Sequence, residues 1–205
     1  MPETKRKLLD ASVTLMRTKG FNGTSVDDIC TAAGVTKGGF FHYFKSKEEV
    51  AKNAAGHFRD SKVQDYGSAP FRKLADPLDR VFGRLEFMVK SAVSGSSPTL
   101  GCLIGTLAQE LSFTHPEMRA VLQESFARMS RDFEKDLAEA QELYAVGSLF
   151  NASAVTSMFI AMYQGSLLMA KASGSNEVLV KNVDEFRSYL RSLFPIWHSS
   201  SGMAL

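Results

Sequence analysis

A chain of 205 residues, 44% of them apolar, is long enough for one large or two small domains with ordinary cores. Its net charge of +2 is unevenly held: residues 1–62 carry eleven Lys or Arg against seven Asp or Glu, and the remainder thirteen against fifteen. Two cysteines, Cys30 and Cys102, exclude a disulfide framework and a cysteine-built metal site, and the charged, amphipathic start lacks the continuous apolar core of a signal peptide.

Residues 3–19 are predicted as a helix, with Leu8, Leu9, Ala11, Val13, Leu15 and Met16 on its apolar face and Gly20 as its stop. Lys5, Arg6 and Lys7 near its start read either as a solvated helix end or as contacts to DNA backbone. Phe21 packs back across the turn. The stretch from Thr24 to Val50 then organises the chain. Thr24, Ser25, Asp27 and Asp28 suit a helix N-terminus, and Ile29, Ala32 and Ala33 form its apolar stripe. Gly34 breaks the helix where a left-handed backbone is needed, Val35 anchors the turn, and Thr36 caps a second helix over 37–44. Cys30, Ala33 and Gly34 are small where the helices cross; Ile29, Val35, Phe40 and Phe44 are large where a core must be filled. This is a helix-turn-helix pattern, and the basic end of the chain carries it.

Ser46-Lys47-Glu48-Glu49 reads as a capping box opening a helix over 47–66, the rod between this unit and the rest, with Gly67-Ser68-Ala69-Pro70 as its end. Asp76 and Pro77 open a helix to about Val93. A loop at 94–101 precedes a helix that starts near Cys102 and ends before Pro116, and Pro116 opens a long one to about Ala145, broken by Gly147. Asn151 caps a helix to about Ala172, and the last runs over 178–194 before Pro195. No segment alternates as a strand does, so the class is all-α with about nine helices. Residues 145–170 carry no charge, but Asn151, Ser153, Thr156, Ser157, Gln164 and Ser166 interrupt them, so a buried helix is expected rather than a membrane span, and a cytoplasmic compartment follows.

Catalysis finds little support. His42, His57, His115 and His198 are scattered, and the acidic pairs Asp27-Asp28 and Glu48-Glu49 sit at helix starts, where the helix dipole accounts for them. No catalytic residue, metal or cofactor is expected.

The pattern resembles the TetR family of bacterial transcriptional repressors. The matching residues are Thr24, Ile29, Ala33-Gly34-Val35-Thr36, Lys37-Gly38, Phe40-Phe41, Phe44 and Ser46-Lys47-Glu48, spaced as in T-x-x-x-x-I-A-x-x-A-G-V-S-x-G-x-x-Y-x-H-F-x-x-K-E. Phe41 departs from a common Tyr and Tyr43 from a common His, which bears on the operator sequence. The resemblance implies a DNA-binding domain over 1–50, a helical ligand-binding and dimerisation domain over 51–198, and a tail at 199–205. The start of the second motif helix faces base edges: Thr36, Lys37, Gly38 and Gly39, then Phe41 and His42. Lys37 is the candidate reader of guanine O6/N7; Phe41 either contacts a thymine methyl or simply packs. Thr24, Thr36, Tyr43 and Lys47 suit phosphate, and Ser25 is counted with the DNA-binding residues. Two glycines at a helix start fit either close approach to DNA or a frayed first turn.

One such unit reads only a few base pairs, so a homodimer on a palindromic double-stranded operator is expected. Its interface is assigned to Leu179, Val183, Phe186 and Leu190 on the last helix, with Ala161, Gly165 and Leu168 on the uncharged one; the alternative is that these stripes are intramolecular core. The resemblance also implies a small-molecule effector. Its candidate lining is Phe82, Phe87 and Met88, then Phe126, Met129 and Phe133, then Met158, Met162, Tyr163 and Gln164, which suits an apolar or aromatic ligand; ordinary core is the plainer reading. Cys102, at an expected helix N-terminus, is either a cysteine-reactive sensor or a small buried residue. The expected function is a repressor released by its effector. An architectural, nucleoid-associated DNA binder without a ligand is the alternative.

Overall fold

The computed structural model describes residues 1–94, 101–145 and 150–197. Among them nine α-helices and one 3-10 turn carry the structure, with no strand. They are α1 (Glu3–Lys19), α2 (Val26–Ala33), α3 (Lys37–Tyr43), α4 (Lys47–Ser68), α5 (Pro77–Val93), α6 (Leu103–Leu111), α7 (Pro116–Tyr144), α8 (Ala152–Ser173) and α9 (Glu177–Leu193). The all-α reading holds, and the starts at 37, 47, 77 and 116 stand where capping residues and prolines put them. Asp76 accepts from the N–H groups of Leu78 and Asp79, with Pro77 in the first turn. Asn151 accepts from Ala154 N at 2.9 Å. The expected loop at 95–100, the break at Gly147, His198 and the tail at 199–205 lie outside the described residues.

One element was not expected. A 3-10 turn, Pro70–Lys73, follows α4, and Phe71 within it is buried. Helix α6 ends at Leu111, before Pro116, and His115 N closes one further turn onto Leu111 O at 2.8 Å.

Two compact units result, Met1–Val63 with Leu100–Met129, and Gln64–Thr99 with Ser130–Leu205. In the first unit α1 packs on α2, α3 and α6. Leu8, Leu9, Met16, Ile29, Phe40, Phe44, Val50, Ile104 and Leu107 are buried there. Glu110 on α6 accepts from Phe21 N (3.0 Å) and Asn22 N (2.8 Å), and Arg17 Nε donates to Gly101 O (2.8 Å), so α6 is fastened to the turn that follows α1. His57 Nε2 lies 2.7 Å from Asp10 Oδ1.

In the second unit α8 pairs with α9, and α5 packs on α9 and on the 3-10 turn. Phe133 stacks on Phe159 (4.9 Å between centroids), Phe159 meets Phe186 (4.9 Å), and Trp197 stacks on Phe82 (5.0 Å). A charged network lies beside this core. Asp136, only 2% exposed, takes Arg72 Nη1 and Arg80 Nε, and Arg80 reaches on to Glu139 (2.6 Å) and to Ala75 O (2.7 Å). The segment between α4 and α5 is thereby tied to α7. The Tyr144 hydroxyl donates to Asp76, whose carboxylate holds it protonated, its pKa pushed up to about 12. The Arg84 guanidinium is buried, facing the rings of Tyr66 (4.5 Å) and Phe133 (5.8 Å), and burial pushes its pKa down.

Candidate functional site

The helix-turn-helix is built by its own caps. Ser25 Oγ accepts from Asp28 N (3.0 Å) while Ser25 N donates to Asp28 Oδ2 (2.9 Å), a reciprocal capping box that holds the Asp28 carboxyl below its usual pKa range. Gly34 ends α2 at φ 64°, the left-handed backbone that a Cβ disfavours, and the next residue, Val35, donates its N–H back to Cys30 O. Thr36 Oγ1 then accepts from Gly39 N (3.1 Å) and starts α3. Along α3, Phe40 turns inward and, with Phe44 just beyond the helix, is fully buried, while Thr36, Lys37, Gly38, Phe41 and His42 stand exposed. Phe41 is 55% exposed, its edge against Phe40. An exposed Phe on a short helix has no role in this chain's own core, and it fits an apolar base contact. Tyr43 is half-buried against His42. Burial pushes the Cys30 thiol up, as befits a packing residue.

One phosphate assignment does not fit its placement. Thr24 is 1% exposed and its hydroxyl donates to Gly20 O (2.7 Å), so the donor is spent on closing the turn after α1. Lys47 Nζ donates to Phe21 O (3.1 Å) and stands 4.2 Å from the Phe21 ring centre, which braces that turn with one of its three donors and leaves two for phosphate. Lys37 has a partner that sequence reading missed: its Nζ lies 2.8 Å from Asp27 Oδ1, and that hydrogen bond raises its pKa. Near the start of α1, Lys7 pairs with Glu3 and Arg6 with Asp10.

The two glycines of α3 have different reasons. A Cβ on Gly39 would lie 2.7 Å from Val35 Cγ1, so packing of the turn anchor requires that glycine. A Cβ on Gly38 would meet nothing nearer than Thr36 Oγ1 at 4.0 Å. Gly39→Ala is therefore expected to destabilise by roughly 1–3 kcal/mol through overpacking. Gly38→Ala is expected to stabilise by roughly 0.5–1 kcal/mol through helix propensity while weakening binding to DNA. Urea denaturation and duplex titration of both variants separate the two effects.

The residues of the expected effector lining fall in both units. Phe82, Met88 and Phe133 are buried in the second unit, where Phe87, Met162, Tyr163 and Gln164 are half-buried. Phe126, Met129 and Cys102 belong to the first unit; Cys102 is the buried N-cap residue of α6. Met158 is exposed, on the same side of α8 as the interface candidates, and does not line an interior. A groove of about 480 Å³ lies between the 3-10 turn and α5, with Phe71, Leu74 and Phe87 in its walls; of the expected lining only Phe87 is there.

The interface assignment divides in the same way. Leu179, Val183, Phe186 and Leu190 are buried within the chain, because α9 packs that stripe against α8 and α5. They are core, not a surface offered to a partner. Ala161, Gly165 and Leu168 are exposed instead, and with Ala154, Met158 and Ala172 they make one stripe of α8 at 3–4 spacing, Met169 beside it. Helix α8 is long and apolar enough by length and composition to cross a membrane, yet only 33% of its apolar window is buried by its own chain. Gly165 serves nothing inside, since a Cβ there would meet nothing within 4 Å. Among the described residues no cluster of His, Cys, Asp or Glu is placed to hold a metal ion.

Residues 8–54 match the family model for bacterial regulatory proteins of the tetR family, and residues 77–186 match that for the tetracyclin repressor-like C-terminal domain. An uncharacterized HTH-type transcriptional regulator in the lacX 3' region of Lactococcus lactis is 29% identical over 189 residues, covering 88% of this chain and 90% of that one. The HTH-type transcriptional repressor DhaR of Mycobacterium sp. strain GP1 is 26% identical over 182 residues, covering 85% and 86%. The crystal structure of the reduced form of Escherichia coli NemR superposes with a TM-score of 0.79 over 91% of this chain and 96% of that one; at 22% identity the likeness is one of fold.

Proposed function

We propose the following cycle on the premise that the chain belongs to the tetR family of bacterial regulatory proteins, and so is a DNA-binding transcriptional regulator: it represses by occupying an operator and leaves when a small apolar or aromatic ligand binds. Residues 1–50 read DNA, and 51–198 bind the effector and dimerise. Helix α3 enters the major groove from its N-terminal end. Lys37 donates to guanine, Phe41 meets a thymine methyl, and Gly38 lets the backbone come close. Thr36, Tyr43 and Lys47 at the N-terminus of α4 hold phosphate, and Ser25 stands beside them. Two copies join through the exposed stripe of α8, so the operator is palindromic. That use of the stripe makes a membrane unnecessary and fits a cytoplasmic protein. Repression is supported by relatives named as repressors, DhaR and NemR. The relatives are transcriptional regulators rather than enzymes.

The observation that carries this reading is the outward face of α3: Lys37 and Phe41 stand exposed, four residues apart, on a helix whose Phe40 is fully buried. The experiment is selection of duplexes from a random library by the purified full chain. The expected result is one enriched sequence with two-fold symmetry, its half-sites about 34–36 Å apart or a multiple of that. Binding without enrichment would support the architectural reading instead.

A further inference from the structure

We propose that Asp27 and Lys37 act together as the reader of one G·C base pair in each half-site, so that Asp27 is a specificity-determining residue; this rests on the DNA-binding reading above. The two side chains come from different helices and meet across the turn made at Gly34. Lys37 Nζ lies 2.8 Å from Asp27 Oδ1, and the side chains are 62% and 65% exposed. Neither is drawn into the core. Asp27 lines a surface depression with Thr31, Val35 and Thr36, directly beside the first residue of α3.

An exposed ion pair of this kind adds little to stability. Its consequence is what it offers to a ligand: one donor and one acceptor, side by side, at the N-terminal end of the helix that faces the groove. A G·C pair presents the complement in its major groove, with acceptors at guanine N7 and O6 next to the donor at cytosine N4. Guanine O6 and cytosine N4 are themselves hydrogen-bonded, so they stand about 2.9 Å apart. That matches the separation of Lys37 Nζ and Asp27 Oδ1. Lys37 donates to O6 or N7 while Asp27 accepts from the N4 amino group. On an A·T pair in the same orientation the carboxylate faces the thymine O4 acceptor and the ammonium meets the adenine N6 donor in place of O6, so Lys37 keeps only N7 and Asp27 loses its contact altogether. The carboxylate also keeps the ammonium from settling on phosphate, where it would carry no sequence information.

The test uses the selected duplex. Each G·C pair of the half-site is changed to A·T in turn, symmetrically in both halves. The variants are titrated by fluorescence anisotropy with the wild-type chain, Asp27→Asn, Asp27→Ala and Lys37→Ala. For the wild type, one position is expected at which the change weakens binding about 10-fold or more. Both Asp27 variants are expected to lose most of that discrimination at the same position, while binding scrambled duplex at least as tightly as the wild type, since a negative charge has left the DNA-facing surface. Lys37→Ala loses discrimination at that position too. Discrimination retained by both Asp27 variants overturns the proposal, and so does a loss at a different position from that of Lys37→Ala. A wild-type chain that binds all duplexes alike overturns the sequence-specific reading as well, in favour of the architectural one, which is a distinct outcome. Thermal melting of each variant checks that the fold is intact, as the exposure of both side chains leads one to expect.

Discussion

Leu168→Glu is expected to turn the dimer into a monomer and to weaken binding to a two-half-site duplex by about 100-fold or more. Leu168 is 54% exposed in the isolated chain and is the largest side chain in the C-terminal half of the α8 stripe that runs from Ala154 to Ala172. In a two-fold interface the same patch faces itself, so one substitution places two carboxylates in it. Each must then be desolvated without a partner, which opposes association more strongly than the loss of leucine contact alone. Without the dimer the second DNA contact ceases to be intramolecular, and the effective concentration that links the half-sites is lost. Gly165→Arg is expected to do the same by blocking close approach of the helices. Sedimentation velocity measures the first effect and anisotropy the second. A chain that stays dimeric with both substitutions would place the interface elsewhere.

The second large effect is on stability. Asp136→Ala is expected to cost about 3–5 kcal/mol, because Arg72 and Arg80 would keep their charges while losing the carboxylate between them. Asp136 is almost wholly buried, so solvent does little to screen the loss. Arg80 also holds the carbonyls of Leu74 and Ala75, so the damage extends to the segment joining α4 to α5. In a chain of this length the melting temperature is expected to fall by roughly 10 °C. Tyr144→Phe, which removes one hydroxyl and leaves no charge behind, is expected to cost far less, about 1 kcal/mol. Urea denaturation of the two variants beside the wild type decides it; equal, small losses would mean that the network is dispensable.

Local chemistry marked most helix starts. Ser25 with Asp28, Asp76 with Pro77, and Asn151 each bind the backbone within a few residues, so their signals lie within one window of sequence. What the sequence did not disclose is of longer range. Periodicity in α9 says that Leu179, Val183, Phe186 and Leu190 are buried, but nothing in it says whether the cover is the same chain or a copy. The answer lies in α8, where one stripe is left open. Thr24 and Lys47 stand at helix starts, where phosphate contact is plausible chemistry. The Thr24 hydroxyl instead turns to Gly20 O and Lys47 gives one donor to Phe21 O, and only the packing of α1 against the motif sets those directions. Asp136 meets Arg72 and Arg80 from 64 and 56 residues away, a separation no helical period can reveal. Asp27 and Lys37 are nearer in sequence, yet the Gly34 turn separates them, so the spacing rules for a single helix pass over the pair.

Recognition of DNA by α3 in a dimer is proposed to be sequence-specific. Its most direct test is an anisotropy titration of the full chain on the selected duplex and on a scramble of the same composition, at two salt concentrations. The expected result is a preference of about a thousandfold or more for the selected duplex, with both affinities falling as salt rises. Equal affinity for the two duplexes at both salt concentrations would contradict the account.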